Sequence, residues 1–141
     1  MKKERNTEIE TYTVRVEKDT TTGQILMMEW RNAAGDIHAP DDEHPSYWVT
    51  SPGCSLRLIE EWHSEGNYHR ENDQPAQIGR DIETGIRTRE EWNINGIRHR
   101  DGGQPSLIAN KIIDGRRIAE EINWHQEGVM VDYSFDEIEI K

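Results

Sequence analysis

The segment HRENDQPAQI at residues 69–78 returns thirty residues later as HRDGGQPSLI at residues 99–108. Self-similarity at such a period means one supersecondary unit used several times, and nothing else in the sequence constrains the fold as strongly. Aligned on tryptophan, Trp30, Trp62, Trp92 and Trp124 fall 32, 30 and 32 residues apart. Each is followed four or five positions on by a glycine, Gly35, Gly66, Gly96 or Gly128. Three residues further stand His38, His69 and His99, with Val131 in the fourth unit. Pro45, Pro75 and Pro105 come next, and Gly23, Gly53, Gly85 and Gly115 precede the tryptophans. The second and third units agree best; the first is looser and the fourth truncated, as end units commonly are. A single domain, 1–141, is expected, with units of about 12–45, 46–75, 76–105 and 106–141.

The local pattern predicts strands. CSLRLIEEW, IRTREEW and RRIAEEINW each follow a turn glycine and are rich in β-formers. Alternation places Leu56, Leu58, Glu60 and Trp62 on one side, with Arg57, Ile59 and Glu61 on the other. The next unit sets Ile86, Thr88, Glu90 and Trp92 against Arg87, Arg89 and Glu91. HSEG, NING and HQEG supply hairpin turns in which glycine takes positive φ. Pro75 and Pro105 begin the runs AQI and SLI, where a strand tolerates proline. TYTVRVEKDTTTGQILMMEW reads as two further strands, and DYSFDEIEIK as a last one that could bury Phe135, Ile138 and Ile140. EEINWHQEG has helical composition too, but its place in the repeat makes it strand. The fold class is mainly β: a repeat-built antiparallel meander with little helix. Because only 33% of residues are hydrophobic, the core is thin and the tryptophans are needed inside it.

The pattern W-x-x-x-G-x-x-H-R-x-x-x-x-P-[AS] is carried by Trp62, Gly66, His69, Arg70, Pro75 and Ala76, and again by Trp92, Gly96, His99, Arg100, Pro105 and Ser106. It is similar to the repeats of MORN-like β-hairpin proteins, in particular a bacterial, phage and giant-virus branch, over about residues 24–132. The chain departs from that branch in Gln74 and Gln104, which precede the prolines, and in its longer period. The resemblance implies an interaction scaffold, antitoxins among its kind, with no shared catalytic residue.

Equivalent histidines of successive units are expected about 10–14 Å apart, at about 4.8 Å per strand, too far to share one metal ion. Each His-Arg pair is therefore expected to bond the turn of its own unit. His63 and His125 are expected in solvent. The pairs Glu60–Glu61, Glu90–Glu91 and Glu120–Glu121 point to opposite faces and so cannot converge on a substrate; cross-strand salt bridges account for them. Cys54 is the only cysteine, which excludes a disulfide within the chain and Cys₄ or Cys₂His₂ zinc sites. GxGxxG and GxxxxGK are absent. No enzyme activity, cofactor or metal is expected.

Charge gives the functional expectation. The formal net charge of −11 disfavours direct binding to nucleic acid or anionic membranes and favours a partner with a basic surface. Nothing resembles a signal peptide or a membrane span, so a cytoplasmic setting is expected, the host cytoplasm for a phage-encoded chain. The expected function is a non-enzymatic protein–protein interaction module, an acidic inhibitor or antitoxin of bacterial or phage type, with anti-CRISPR-like nucleic-acid mimicry as one form. Its expected contact residues are Asp41, Asp42, Glu43, Glu61, Glu91, Glu121, Asp136 and Glu137. A homodimer is a second partner arrangement. The alternatives are a tryptophan ladder binding sugar or choline-like groups and, behind it, a histidine-dependent metallohydrolase.

Overall fold

The computed structural model describes residues 7–131 and 139–140. Asp136 and Glu137, together with the expected core residues Phe135 and Ile138, lie outside the described residues. Fourteen strands form, with no helix among the described residues: β1 (Thr13–Lys18), β2 (Ile25–Arg31), β3 (Tyr47–Val49), β4 (Ile59–Glu61), β5 (His63–Ser64), β6 (Asn67–Tyr68), β7 (Gln77–Arg80), β8 (Arg87–Glu91), β9 (Asn93–Ile94), β10 (Ile97–Arg98), β11 (Leu107–Ile113), β12 (Arg116–Gln126), β13 (Val129–Val131) and β14 (Glu139–Ile140). The main sheet runs β1-β2-β3-β4-β7-β8-β11-β12-β13, with β14 also paired to β12. All its pairings are antiparallel. The strands skipped by this path form two small hairpins, β5–β6 and β9–β10.

Register follows the repeat. Val16, Met28, Trp48, Glu60, Ile78, Glu90, Ile108 and Ile122 stand side by side across the sheet. The repeat tryptophans lie two residues beyond members of this row and share its face. The adjacent row, Arg15, Glu29, Tyr47, Glu61, Gln77, Glu91, Leu107 and Asn123, occupies the other face. Both faces contribute to the core: Trp62, Ile78, Trp92 and Ile122 from one, Met27 and Leu107 from the other.

Buried carboxylates interrupt the tryptophan face. Glu60 receives Arg80 in a short ion pair, with Arg57 at 3.7 Å. Glu90 receives Arg117 at 2.6 Å, with Arg87 at 3.5 Å. Strict alternation would have sent Arg57 and Arg87 to the opposite face. Arg57 instead precedes the first residue of β4, Ile59, and Arg87 lies where the β7–β8 register shifts, so both reach the tryptophan side. Asn110 sits at the place that Arg80 holds one unit earlier. With Arg117 already on Glu90, the buried Asn110 amide finds no partner among the described residues.

The hairpin turns need positive φ at two successive positions, which is type I′ geometry. Glu65–Gly66, Asn95–Gly96 and Glu127–Gly128 all adopt it, with φ of 49–86° at each residue. Among the described residues, no helix is long and apolar enough to cross a membrane.

Candidate functional site

The chemistry-bearing residues gather at the junctions between units, beside the main sheet, where the hairpins stack. The turn glycine of each unit donates to a carbonyl of the unit before it: Gly66 to Ile37 at 2.9 Å, Gly96 to Tyr68 at 2.8 Å and Gly128 to Arg98 at 2.9 Å. The repeat histidines reinforce these links. His38 Nδ1 accepts from the Glu65 N–H at 3.0 Å, His69 Nδ1 from Asn95 at 3.0 Å, and His99 Nδ1 from Glu127 at 3.1 Å. The donor is in every case the strained positive-φ residue of the turn. With Nδ1 accepting, Nε2 carries the proton. It donates to Glu71 from His69 and to Asp101 from His99, both at 2.7 Å.

The expectation that each His-Arg pair bonds its own turn is therefore corrected. Histidine reaches forward to the next unit, because antiparallel stacking sets the return strand of one hairpin against the turn of the following one. Arginine does the rest. Arg70 and Arg100 lie 3.6 and 3.8 Å over the rings of Trp62 and Trp92 in their own units. Each bonds its own Pro75 or Pro105 carbonyl. Each also reaches back: Arg70 Nε donates to the Asp42 carbonyl, and Arg100 grips the Asp73 carboxylate with two nitrogens. The ends differ. The first turn is closed by Asn32, whose side chain accepts from Asp36 N–H, and Val131 at the far end has no ring nitrogen to offer.

His63 and His125, expected in solvent, are instead buried at 7% and 4% exposure. Each has its Nδ1 against a buried serine hydroxyl, Ser46 at 2.7 Å and Ser106 at 2.6 Å. Such pairs resemble a nucleophile and its base, but the serine hydroxyl is already directed at a backbone carbonyl, Glu61 or Asn123. The imidazole is thus the donor and the serine the acceptor, the reverse of what activation requires. Both serines are fully enclosed. Burial lowers the His63 pKa to about 4 and lowers that of His125 as well, Arg98 adding to the effect. The third unit places Ala76 and Asn93 at the same two positions.

The acidic residues split into two groups. Glu91 belongs to the interior at 4% exposure, so its expected place on a contact surface is withdrawn. Burial raises its pKa, but hydrogen bonds from Arg98 at 2.6 Å and Arg89 at 2.9 Å outweigh this and hold it below the usual value. Glu61 is half-buried on the same face, where desolvation raises its pKa. Glu121 is exposed, against Asn123. Asp41, Asp42 and Glu43 lie in the loop after the first unit's hairpin, and Asp42 binds the next loop through Glu71 N–H and Asn72. That next loop carries Glu71 and Asp73, and the third carries Asp101. Two equivalent grooves separate the loops, one lined by Asp41, Asp42, His69 and Glu71, the other by Glu71, Asp73, His99 and Asp101. The exposed carboxylates thus form a ridge along the junctions. Glu71, Asp73 and Asp101 were not singled out from sequence, although an acid two residues after His69 and His99 was a visible signal.

No family model, curated protein or solved structure matches the chain. What the junctions can do follows from their own geometry. Among the described residues, no three His, Cys, Asp or Glu side chains gather in a way that could hold a metal ion. Removing a forward-reaching histidine should loosen the stack: His69→Ala is expected to cost about 0.5–1.5 kcal/mol, the net worth of the lost bond to the exposed Asn95 N–H. His44→Ala, at an exposed loop histidine that among the described residues bonds Asp41 of its own loop, should cost much less. Thermal melts of the two variants check the ranking, and equal losses would contradict it.

Proposed function

We propose that the protein is a non-enzymatic interaction module of inhibitor or antitoxin type, which docks its carboxylate ridge on a basic surface of another protein. The observation that carries this reading is the alignment of Asp41, Glu43, Glu71 and Asp101 on successive loops held rigidly by the histidine and arginine links. Loops fixed on a scaffold present charge without the ordering cost that a flexible acidic tail meets on binding. Like-signed charge along one edge also steers an oppositely charged partner. The resemblance to MORN-like repeat scaffolds points the same way. The engagement of Ser46, Ser106 and the repeat histidines in structural bonds favours binding over catalysis. The tryptophan-ladder alternative is weakened at Trp62 and Trp92, whose rings are buried and already stacked by arginine.

The test is affinity capture with the intact chain, identification of the retained protein by mass spectrometry, and titration of the purified pair. Joint replacement of Asp41, Glu43, Glu71 and Asp101 by lysine is expected to weaken binding by about a hundredfold or more and to flatten its salt dependence. Because Glu71 and Asp101 accept from the repeat histidines and Asp41 bonds its own loop, some loss of melting temperature is expected, and the titration is read at a temperature where a melt shows the variant folded. Unchanged affinity would sink the electrostatic reading.

A further inference from the structure

Among the described residues, no strand lies outside β1. The direction of its backbone groups follows from β2. There the even-numbered residues face β3, since Trp30 N–H donates to the Ser46 carbonyl and the Leu26 carbonyl accepts from Thr50. Odd-numbered Met27, Glu29 and Arg31 face β1, opposite Glu17, Arg15 and Thr13. Antiparallel geometry then turns the N–H and C=O of Val14, Val16 and Lys18 off the free edge. Edge strands commonly carry charge to deter pairing. Here the charges fit a second copy of the same strand. A two-fold axis at Val16 sets Val16 against Val16 of the second copy, Val14 against its Lys18, and Arg15 against its Glu17. Moving the register by two residues opposes Arg15 with Arg15 or Glu17 with Glu17, and an odd shift puts inward-facing backbone groups at the joint.

We infer that β1 is a self-recognition strand: two copies join edge to edge, centred on Val16, with two reciprocal Arg15–Glu17 ion pairs. Both charged side chains are more than 60% exposed, and their contacts within the chain are long, 4.0 Å to each other and 3.7 Å from Arg15 to Glu29. They are free to reach across. Six-residue strands bury less than the roughly 1,200 Å² of a standard interface, which places the pair among weak, transient associations. This surface is separate from the carboxylate ridge and stands or falls without it.

Sedimentation equilibrium of the full chain, carried to several hundred micromolar, reads the association directly. Val16→Pro removes an outward N–H while leaving the β1–β2 ladder intact, a substitution that edge strands tolerate; a monomer is expected at every concentration. Arg15→Glu alone and Glu17→Arg alone oppose like charges and should each weaken association about tenfold or more. The two combined restore the pairing with reversed polarity and should recover the wild-type constant. Circular dichroism melts establish that the variants fold, and the charge exchange decides the matter should the proline variant unfold. A wild-type chain that stays monomeric throughout, or a dimer indifferent to these changes, would overturn the inference.

Discussion

Replacing Trp92 by alanine is expected to remove about 3–5 kcal/mol of stability, the usual cost of deleting a buried indole. That is a large part of the roughly 5–15 kcal/mol that a domain has in total. The ring is 6% exposed, its Nε1–H donates to the Asp73 carbonyl at 3.1 Å, and Arg100 stacks on it. Its loss opens a cavity and strips Arg100 of the surface that orients it toward Asp73. One link between two units would be lost, since Arg100 and Asp73 lie on successive loops. Trp124→Ala in the last unit should cost less than half as much, because that ring is only partly buried. A thermal melt should show Trp92→Ala lower than wild type by roughly 10 °C or more. Similar losses for the two variants would mean that burial of the repeat tryptophans does not set the stability.

Acid should destabilise the fold well above the range in which carboxylates titrate. The unfolded His63 takes up its proton near pH 6.5, whereas the folded residue, buried beside Ser46, does so only near pH 4. Between those values the unfolded state binds more protons, so stability falls as pH falls, by up to about 3 kcal/mol from this residue. His125, displaced in the same direction, adds to the loss. Glu61 works against it: its raised pKa means that the folded state takes up a proton more readily as pH drops. The net expectation is a melting temperature that declines from pH 7 to pH 4.5. The third unit supplies the control. Ser46→Ala with His63→Asn installs the Ala76–Asn93 pairing one unit earlier and should flatten the decline. A double variant with the wild-type slope would assign the acid sensitivity elsewhere.

Much of the fold was legible in the sequence because period and alternation are read from single positions. Trp30, Trp62, Trp92 and Trp124 marked the repeat units, and the paired turn glycines marked where strands reverse. The junctions were not legible for a physical reason. Whether His69 bonds its own turn or the next depends on how hairpins stack, which one unit's sequence does not encode. The burial of His63 and His125 was missed because their partners, Ser46 and Ser106, lie 17 and 19 residues away. Even so, histidine occurs with serine and asparagine with alanine at those paired positions, an internal covariation that the repeat displays. Glu91 and Glu121 read alike as the second acids of their pairs, but two extra residues before Trp124 put Asn123 in the row of Glu91 and set Glu121 at the level of Arg89. Arg98 draws Glu91 inside, whereas Glu121 stays exposed.

The forward reach of each histidine gives the array a polarity. Every interior unit accepts one imidazole from upstream and offers one downstream, while Asn32 and Val131 close the two ends without taking part. Interior cassettes are therefore interchangeable in principle, and the terminal ones are not. A chain lengthened by copying residues 76–105 in place would keep every handover satisfied, whereas one extended beyond Val131 would begin its new cassette without an acceptor. Length in such a protein is adjustable from the middle outward.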